Sequence, residues 1–207
     1  MRPPYCPQDA PPGEKGLFDA LATSAQTAGW IVLHSLAIAE HVRQVEGEAD
    51  FVVIVPDRGV LVIEVKSHLD VEVLPDGRWK LGSQAPTSRS PFKQAGEAMH
   101  SIRDYLTSWG IDLGSIPMLN AVWFTHVRAR TKLPASPEWH GWQLLDSEDL
   151  RAGAVAAIQR VIAAGTEHLR SRIAGFPRGD IGPDSDSQCP ATAFRSRHRC
   201  WRCSPGA

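Results

Sequence analysis

The sequence predicts an α/β fold, a central mixed sheet flanked by helices, on three observations. Two β-branched runs, Phe51-Val52-Val53-Ile54-Val55 and Val60-Leu61-Val62-Ile63, are joined by a Pro56-Asp57-Arg58-Gly59 turn. Apolar runs of this length between turn residues read as adjacent strands of a buried sheet. A second pair, Val71-Glu72-Val73-Leu74 and Arg78-Trp79-Lys80-Leu81, is broken by Pro75-Asp76-Gly77, and Asp-Gly suits the tight turn of a hairpin. Helix-periodic segments precede and follow these strands, so a sheet covered by helices follows.

Residues 1–12 are rich in Pro and polar residues and read as extended. A helix is expected from Gly13-Glu14 to about Ala25, closed by Gly29. Leu17, Phe18 and Leu21 stand three, four and seven residues after Glu14, which puts that carboxylate on the apolar face. Trp30 to Leu36 reads as a strand, whereas Ala37 to Glu48 is polar and shows no clear period. After the two hairpins and a polar loop over 82–89, Ser90-Pro91 marks a helix start, with Ser as N-cap and Pro in the first helical position. Gln94, Ala95, Ala98, Met99, Ile102 and Leu106 carry that helix to near Trp109-Gly110. Ala121 to Thr125 reads as a strand, Trp142 to Leu145 as a short one, and Asp149 to about Ile173 as one long Ala-rich amphipathic helix.

The expected organisation is an extended segment over 1–12, a domain over 13–127, an extension with the long helix over 128–176, and a tail over 177–207. The tail is first Pro-, Gly-, Asp- and Ser-rich, then Arg- and Cys-rich, and reads as disordered. It reads equally as the scrambled end of a truncated or frameshifted longer chain.

At 207 residues, with 43% hydrophobic and 22% charged residues, the composition is that of a soluble globular domain with additions. The formal net charge of -1 supplies no global positive field, so a nucleic-acid partner would need a local basic patch. No apolar run reaches the length of a membrane span, and the start lacks the apolar core of a signal peptide. Cys6 stands alone and the other cysteines fall at 189, 200 and 203. That pattern does not make a disulfide scaffold, and a reducing cytoplasm is expected. Cys189, His198, Cys200 and Cys203 have zinc-like character, but their spacing fits no common finger.

The chemistry concentrates on Asp50, Glu64 and Lys66. Along a strand over 60–66 side chains alternate, so Val62, Glu64 and Lys66 share one face and Leu61, Ile63 and Val65 the other. Asp50 opens the neighbouring strand and can reach the same edge. Mg²⁺ (or Mn²⁺) takes hard oxygen ligands, commonly one or two carboxylates and several waters. Asp50 and Glu64 would supply the carboxylates and the Val65 carbonyl a third oxygen. Lys66 would orient the attacking water and offset charge developing on a phosphate. The same residues also fit an ordinary ion pair at a strand end. Glu14 reads either as a carboxylate linked to this site or as a first-turn acid favoured by the helix dipole. Gln94 reads as a ligand of the water or of a phosphate oxygen, or as a surface residue. Arg78, Lys80, Arg89 and Lys93, with Trp79 among them, form either a phosphate-contacting cluster with a stacking aromatic or a solvated hairpin face.

Four ordered blocks, Gly13-Glu14, Gly47-Glu48-Ala49-Asp50-Phe51, Val62-Ile63-Glu64-Val65-Lys66 and Pro91-Phe92-Lys93-Gln94-Ala95, resemble the nuclease-related domain, NERD. That family in turn resembles the PD-(D/E)xK nucleases. The likeness covers roughly residues 11–127. It implies a restriction-endonuclease-like core, Asp50, Glu64 and Lys66 as catalytic, Glu14 and Gln94 as supporting positions, a divalent metal, and DNA as substrate; RNA stands as a further reading, since nothing in the residues selects deoxyribose. Ala49-Asp50 stands where the pattern has Pro-Asp. In this family the domain often precedes a helicase or kinase-like module. The Pro-rich start and Trp139-x-x-Trp142 are similar to the N-terminal part of bacterial NERD-helicase proteins. The chain carries no Gly-x-x-x-x-Gly-Lys-Ser/Thr loop, so either a stand-alone form or one that has lost a helicase partner is expected.

Overall fold

Alternation within the apolar runs decides which side chains go to which layer. The structure, a computed structural model, describes residues 1–38, 47–114 and 116–174. The tail over 177–207, with its cysteines, and residues 39–46 lie outside the described residues. Helix α1 spans Pro12–Ala22, and strands β1, β2 and β3 span Ile31–Ile38, Gly47–Val55 and Gly59–Lys66. Strands β4 and β5 are Val71–Val73 and Trp79–Leu81. Helix α2 is Pro91–Ser108, β6 is Met118–Phe124, and α3 is the short turn Ala129–Lys132. Strand β7 is Leu144–Leu145 and helix α4 is Ser147–Ala174.

The main sheet has the order β1-β2-β3-β6-β7, while β4 and β5 form a separate hairpin. β1, β2 and β3 are antiparallel neighbours; β3, β6 and β7 are parallel. The sheet is therefore mixed, flanked by helices, and of restriction-endonuclease-like form. Helices on either side of the sheet bury β3 on both faces, which is why it reads as an unbroken apolar run. Leu61, Ile63 and Val65 pack with Leu17, Phe18 and Leu21 of α1 and with Ala154, Ile158 and Val161 of α4. Val60 and Val62 pack with Ala98 and Met99 of α2. A third cluster gathers Trp79, Phe92, Phe124 and Trp139 beneath the small hairpin. Residues of α4 thus share one core with α1 and the sheet. Among the described residues, no helix is long and apolar enough to cross a membrane.

Several boundaries differ from the expectation, each for a local reason. α1 stops at Ala22, where the Thr23 hydroxyl donates to the Asp19 carbonyl at 2.7 Å. A short 3₁₀ turn over Ala25–Thr27, capped by Ser24, follows, and Gly29 closes that turn rather than α1. β2 begins at Gly47, inside the segment without a period; its first half pairs with β1 through Leu36–Ala49 and Ile38–Gly47. The long C-terminal helix is broken at Gly153, whose φ of 132° and ψ of 113° lie outside helical geometry and are tolerated because glycine has no Cβ. The N-terminal segment is not free: the Arg2 N–H donates to Val32 O at 2.8 Å and His34 N–H donates to Arg2 O at 2.9 Å. These bonds cover part of the exposed edge of β1.

Candidate active site

The last backbone pair of the β2–β3 hairpin, counting away from its turn, is Phe51 with Ile63. One step further, the same register sets Asp50 opposite Glu64. There the ladder is interrupted on both sides of Asp50. Toward β3, the Val65 N–H is taken at 2.6 Å by Asp50 Oδ2, a side chain. Toward β1, the paired residues His34–Phe51 and Leu36–Ala49 leave Ser35 facing Asp50, and Ser35 has a φ of 52°. A non-glycine residue in that region costs on the order of 1–3 kcal/mol and is retained where its surroundings impose it.

The structure brings four of the expected residues together. Glu64 is buried, at 8% exposure. Lys66 Nζ donates to Glu64 Oε1 at 2.5 Å and to Gln94 Oε1 at 3.4 Å. Gln94 Nε2 donates to the Arg89 carbonyl at 3.4 Å, which fixes the amide so that its oxygen faces the ammonium. Gln94 is there because Ser90 caps α2, accepting from the N–H groups of Phe92 and Lys93. Burial first, and the charge of Glu64 second, push the Asp50 carboxyl up to about 8, against the smaller opposing pull of the Val65 N–H. Without a cation, Asp50 therefore carries a proton near neutral pH.

Glu14 arrives from the opposite layer. The Gly13 N–H donates to Ser67 Oγ at 3.0 Å. A Cβ on Gly13 would lie 2.0 Å from Thr125 Oγ1, so only glycine lets α1 press its first turn against the ends of β3 and β6. That contact buries Glu14, whose Oε2 lies 3.1 Å from His34 Nε2. Burial is the largest influence raising the Glu14 carboxyl; the His34 contact opposes it, and Glu48 and Glu64 add to the rise. Glu14 thus couples electrostatically to the group of four without joining its hydrogen bonds.

The donor set of Asp50, Glu64 and the Val65 carbonyl is all hard oxygen, with two carboxylates close enough to perturb each other. It fits a divalent ion that retains most of its waters. Among the described residues, no group of three or more His, Cys, Asp or Glu side chains is placed to hold a metal, as befits a set contributing only two.

Arg78, Lys80, Arg89 and Lys93 are all exposed. Arg78 Nε is bonded to Asp76 Oδ2 at 2.7 Å, and Lys80 faces Glu72 across the small hairpin. The expectation that Trp79 stacks on a base is overturned. Trp79 is 1% exposed and packs against Phe92, Phe124 and Trp139, so its indole belongs to the core. The histidines of the sequence show no metal-ligand spacing, so spacing alone gives His34 no role beyond packing or surface. A usable signal was present: His34 shares strand parity with buried Val32 and so points inward with it.

The model of the nuclease-related domain matches residues 12–125, more than half of the 207-residue chain. No curated protein and no solved structure matches. The chain accordingly belongs to the nuclease-related domain family, which resembles the PD-(D/E)xK nucleases.

Proposed function

We propose that this domain is a Mg²⁺- or Mn²⁺-dependent phosphodiesterase that hydrolyses DNA during DNA processing or repair. One observation carries the reading: a buried carboxylate, Glu64, and a half-buried one, Asp50, share the end of one hairpin with Lys66 and Gln94. Asp50, Glu64 and the Val65 carbonyl would hold the ion. The bound ion supplies Lewis-acid stabilisation of the phosphate and a more acidic coordinated water. Lys66 supplies a positive charge beside the phosphate, offsets charge developing on its oxygens and orients the attacking water. Gln94 holds the ammonium in place through Oε1 and through its own bond to the Arg89 carbonyl. Glu14 adds a further negative charge from the α1 side. Arg78, Lys80, Arg89 and Lys93 would grip the backbone without reading sequence. The domain would work beside a helicase, on a separate chain or as a module joined to it.

A second reading, a non-catalytic nucleic-acid or protein-binding module, draws support from the Lys66–Glu64 contact, which neutralises Glu64 with no cation at all. Incubating the protein with supercoiled plasmid, linear duplex, single-stranded DNA and RNA, with Mg²⁺, Mn²⁺ or chelator, distinguishes the two. Metal-dependent DNA cleavage that is lost in Glu64→Ala is expected. Binding that ignores chelator, with no nicking at any metal concentration, favours the second reading.

A further inference from the structure

His34 is a buried imidazole that the proposed chemistry does not yet use. Its side chain is 0% exposed. It lies between Phe18, at a ring-centroid distance of 5.6 Å, and Phe51, at 4.7 Å. Its backbone is held on both edges of β1, by Phe51 of β2 on one side and by the Arg2 carbonyl on the other. Its two ring nitrogens have different fates. Nε2 faces the Glu14 carboxylate at 3.1 Å, with Ser35 Oγ at 3.4 Å. Nδ1 is buried and has no hydrogen-bond partner.

That asymmetry fixes which nitrogen donates. A carboxylate oxygen only accepts, so Nε2 carries the proton and donates. Nδ1, among aromatic rings, has no partner, so no competing hydrogen bond turns the ring away from Glu14. The ring thus spends its Nε2 donor on Glu14. Two aromatic neighbours and two anchored backbone bonds leave it no other orientation.

Resting on the metal-dependent reading above, we infer that His34 is a positioning residue: it aims the Glu14 carboxylate at the end of the β2–β3 hairpin and thereby sets the affinity of that end for a divalent cation. The donor behind a metal ligand fixes its direction and basicity, and its loss weakens metal binding by about 10–100-fold; for a carboxylate that acts on the ligands through its charge, the lower end of that range applies. Glu14 is suited to this role because its charge already reaches both Asp50 and Glu64.

The test is a set of Mn²⁺ titrations, by calorimetry or by the spin resonance of free Mn²⁺, on the whole chain. His34→Leu keeps the bulk and removes the donor; it is expected to weaken Mn²⁺ binding about tenfold or more. His34→Gln, whose amide nitrogen reaches close to where Nε2 was, recovers most of that loss. Glu14→Gln matches His34→Leu, and the double variant binds no worse than either single one, because the two residues act as a unit. Thermal melting confirms that each variant is folded. Unchanged Mn²⁺ binding in His34→Leu, additive losses in the double variant, or no recovery in His34→Gln overturns the role of His34 alone. A wild-type protein that binds no Mn²⁺ overturns the metal-dependent reading together with it.

Discussion

Two pairs of carboxylates, half-buried Asp50 with buried Glu64 and buried Asp146 with buried Asp149, are treated in opposite ways by the surrounding chain. Asp149 accepts from the Asp146 N–H at 2.8 Å, and lies 2.6 Å from Arg130 and 2.5 Å from Arg160. Asp146 accepts from the Glu148 N–H at 2.9 Å and also lies 3.3 Å from Arg130. Two guanidinium groups thus answer two acids. Burial raises the Asp149 carboxyl, but Arg130, the Asp146 N–H and Arg160 together outweigh it and leave it below its usual range. At the hairpin end one ammonium serves Glu64, with Asp50 and Glu14 close by, and burial wins at Asp50. A completed charge network ties β7, α3 and α4 together. An incomplete one leaves a demand for positive charge, and such groups mark functional sites.

The largest effect expected from this contrast is on catalysis. Glu64→Ala should lower metal-dependent plasmid nicking by at least about a hundredfold. The melting temperature of the metal-free protein should change little, because relief of the charge that burdens Asp50 offsets the lost partner of Lys66. A variant that nicks as fast as wild type breaks the contrast from the catalytic side. Asp149→Ala should do the reverse. It leaves the Asp146 N–H and the Arg160 guanidinium without that acceptor and Arg130 with only Asp146 and the Leu144 carbonyl, and should cost about 2–3 kcal/mol in denaturant unfolding, with nicking per folded molecule unchanged. A cost well under 1 kcal/mol would place that network among exposed ion pairs instead.

The two regions should also respond to pH with opposite sign. Asp50 moves from 3.8 in the unfolded chain to about 8 when folded. Folding therefore takes up a proton between those values, and the stability this group contributes is full below about 4 and lost as pH climbs to about 8. Asp149 moves downward, so its contribution is present above the unfolded value and lost as pH falls through the lowered one. Melting temperature against pH should show both arms. Asp50→Asn should flatten the alkaline arm only, and Asp149→Ala the acid arm only. Mn²⁺ should raise the melting temperature more at pH 8.5 than at pH 6, since the ion and the proton compete for Asp50. A smaller effect is expected at the basic surface. Lys93→Ala should weaken DNA binding modestly and lower its salt dependence by about one ion.

The sheet and the acid–lysine group were legible because both are local. Two β-branched runs and one turn fix the register that sets Asp50 against Glu64, and parity puts Lys66 on the same face. The charge network of the second pair was not legible: Arg130, Asp149 and Arg160 meet through tertiary contacts that leave no period in the sequence. The first half of β2 was missed because it pairs with β1 only and keeps polar residues. Trp79 looked available among charged neighbours, since strand alternation alone does not say which face of a small hairpin is covered. The break at Gly153 was hidden inside an otherwise continuous helical pattern.

The tight seat of Gly13 has a practical consequence. Ordinary inactive controls delete a charge, and so change the electrostatics and the geometry together. Replacing this glycine by alanine changes no ionisable group, yet its methyl would meet Thr125 Oγ1 at 2.0 Å and Ser67 Oγ at 2.4 Å. The substitution acts as a shim of one carbon, prying the acid-bearing helix away from the strand ends while the inventory of acids and bases stays complete.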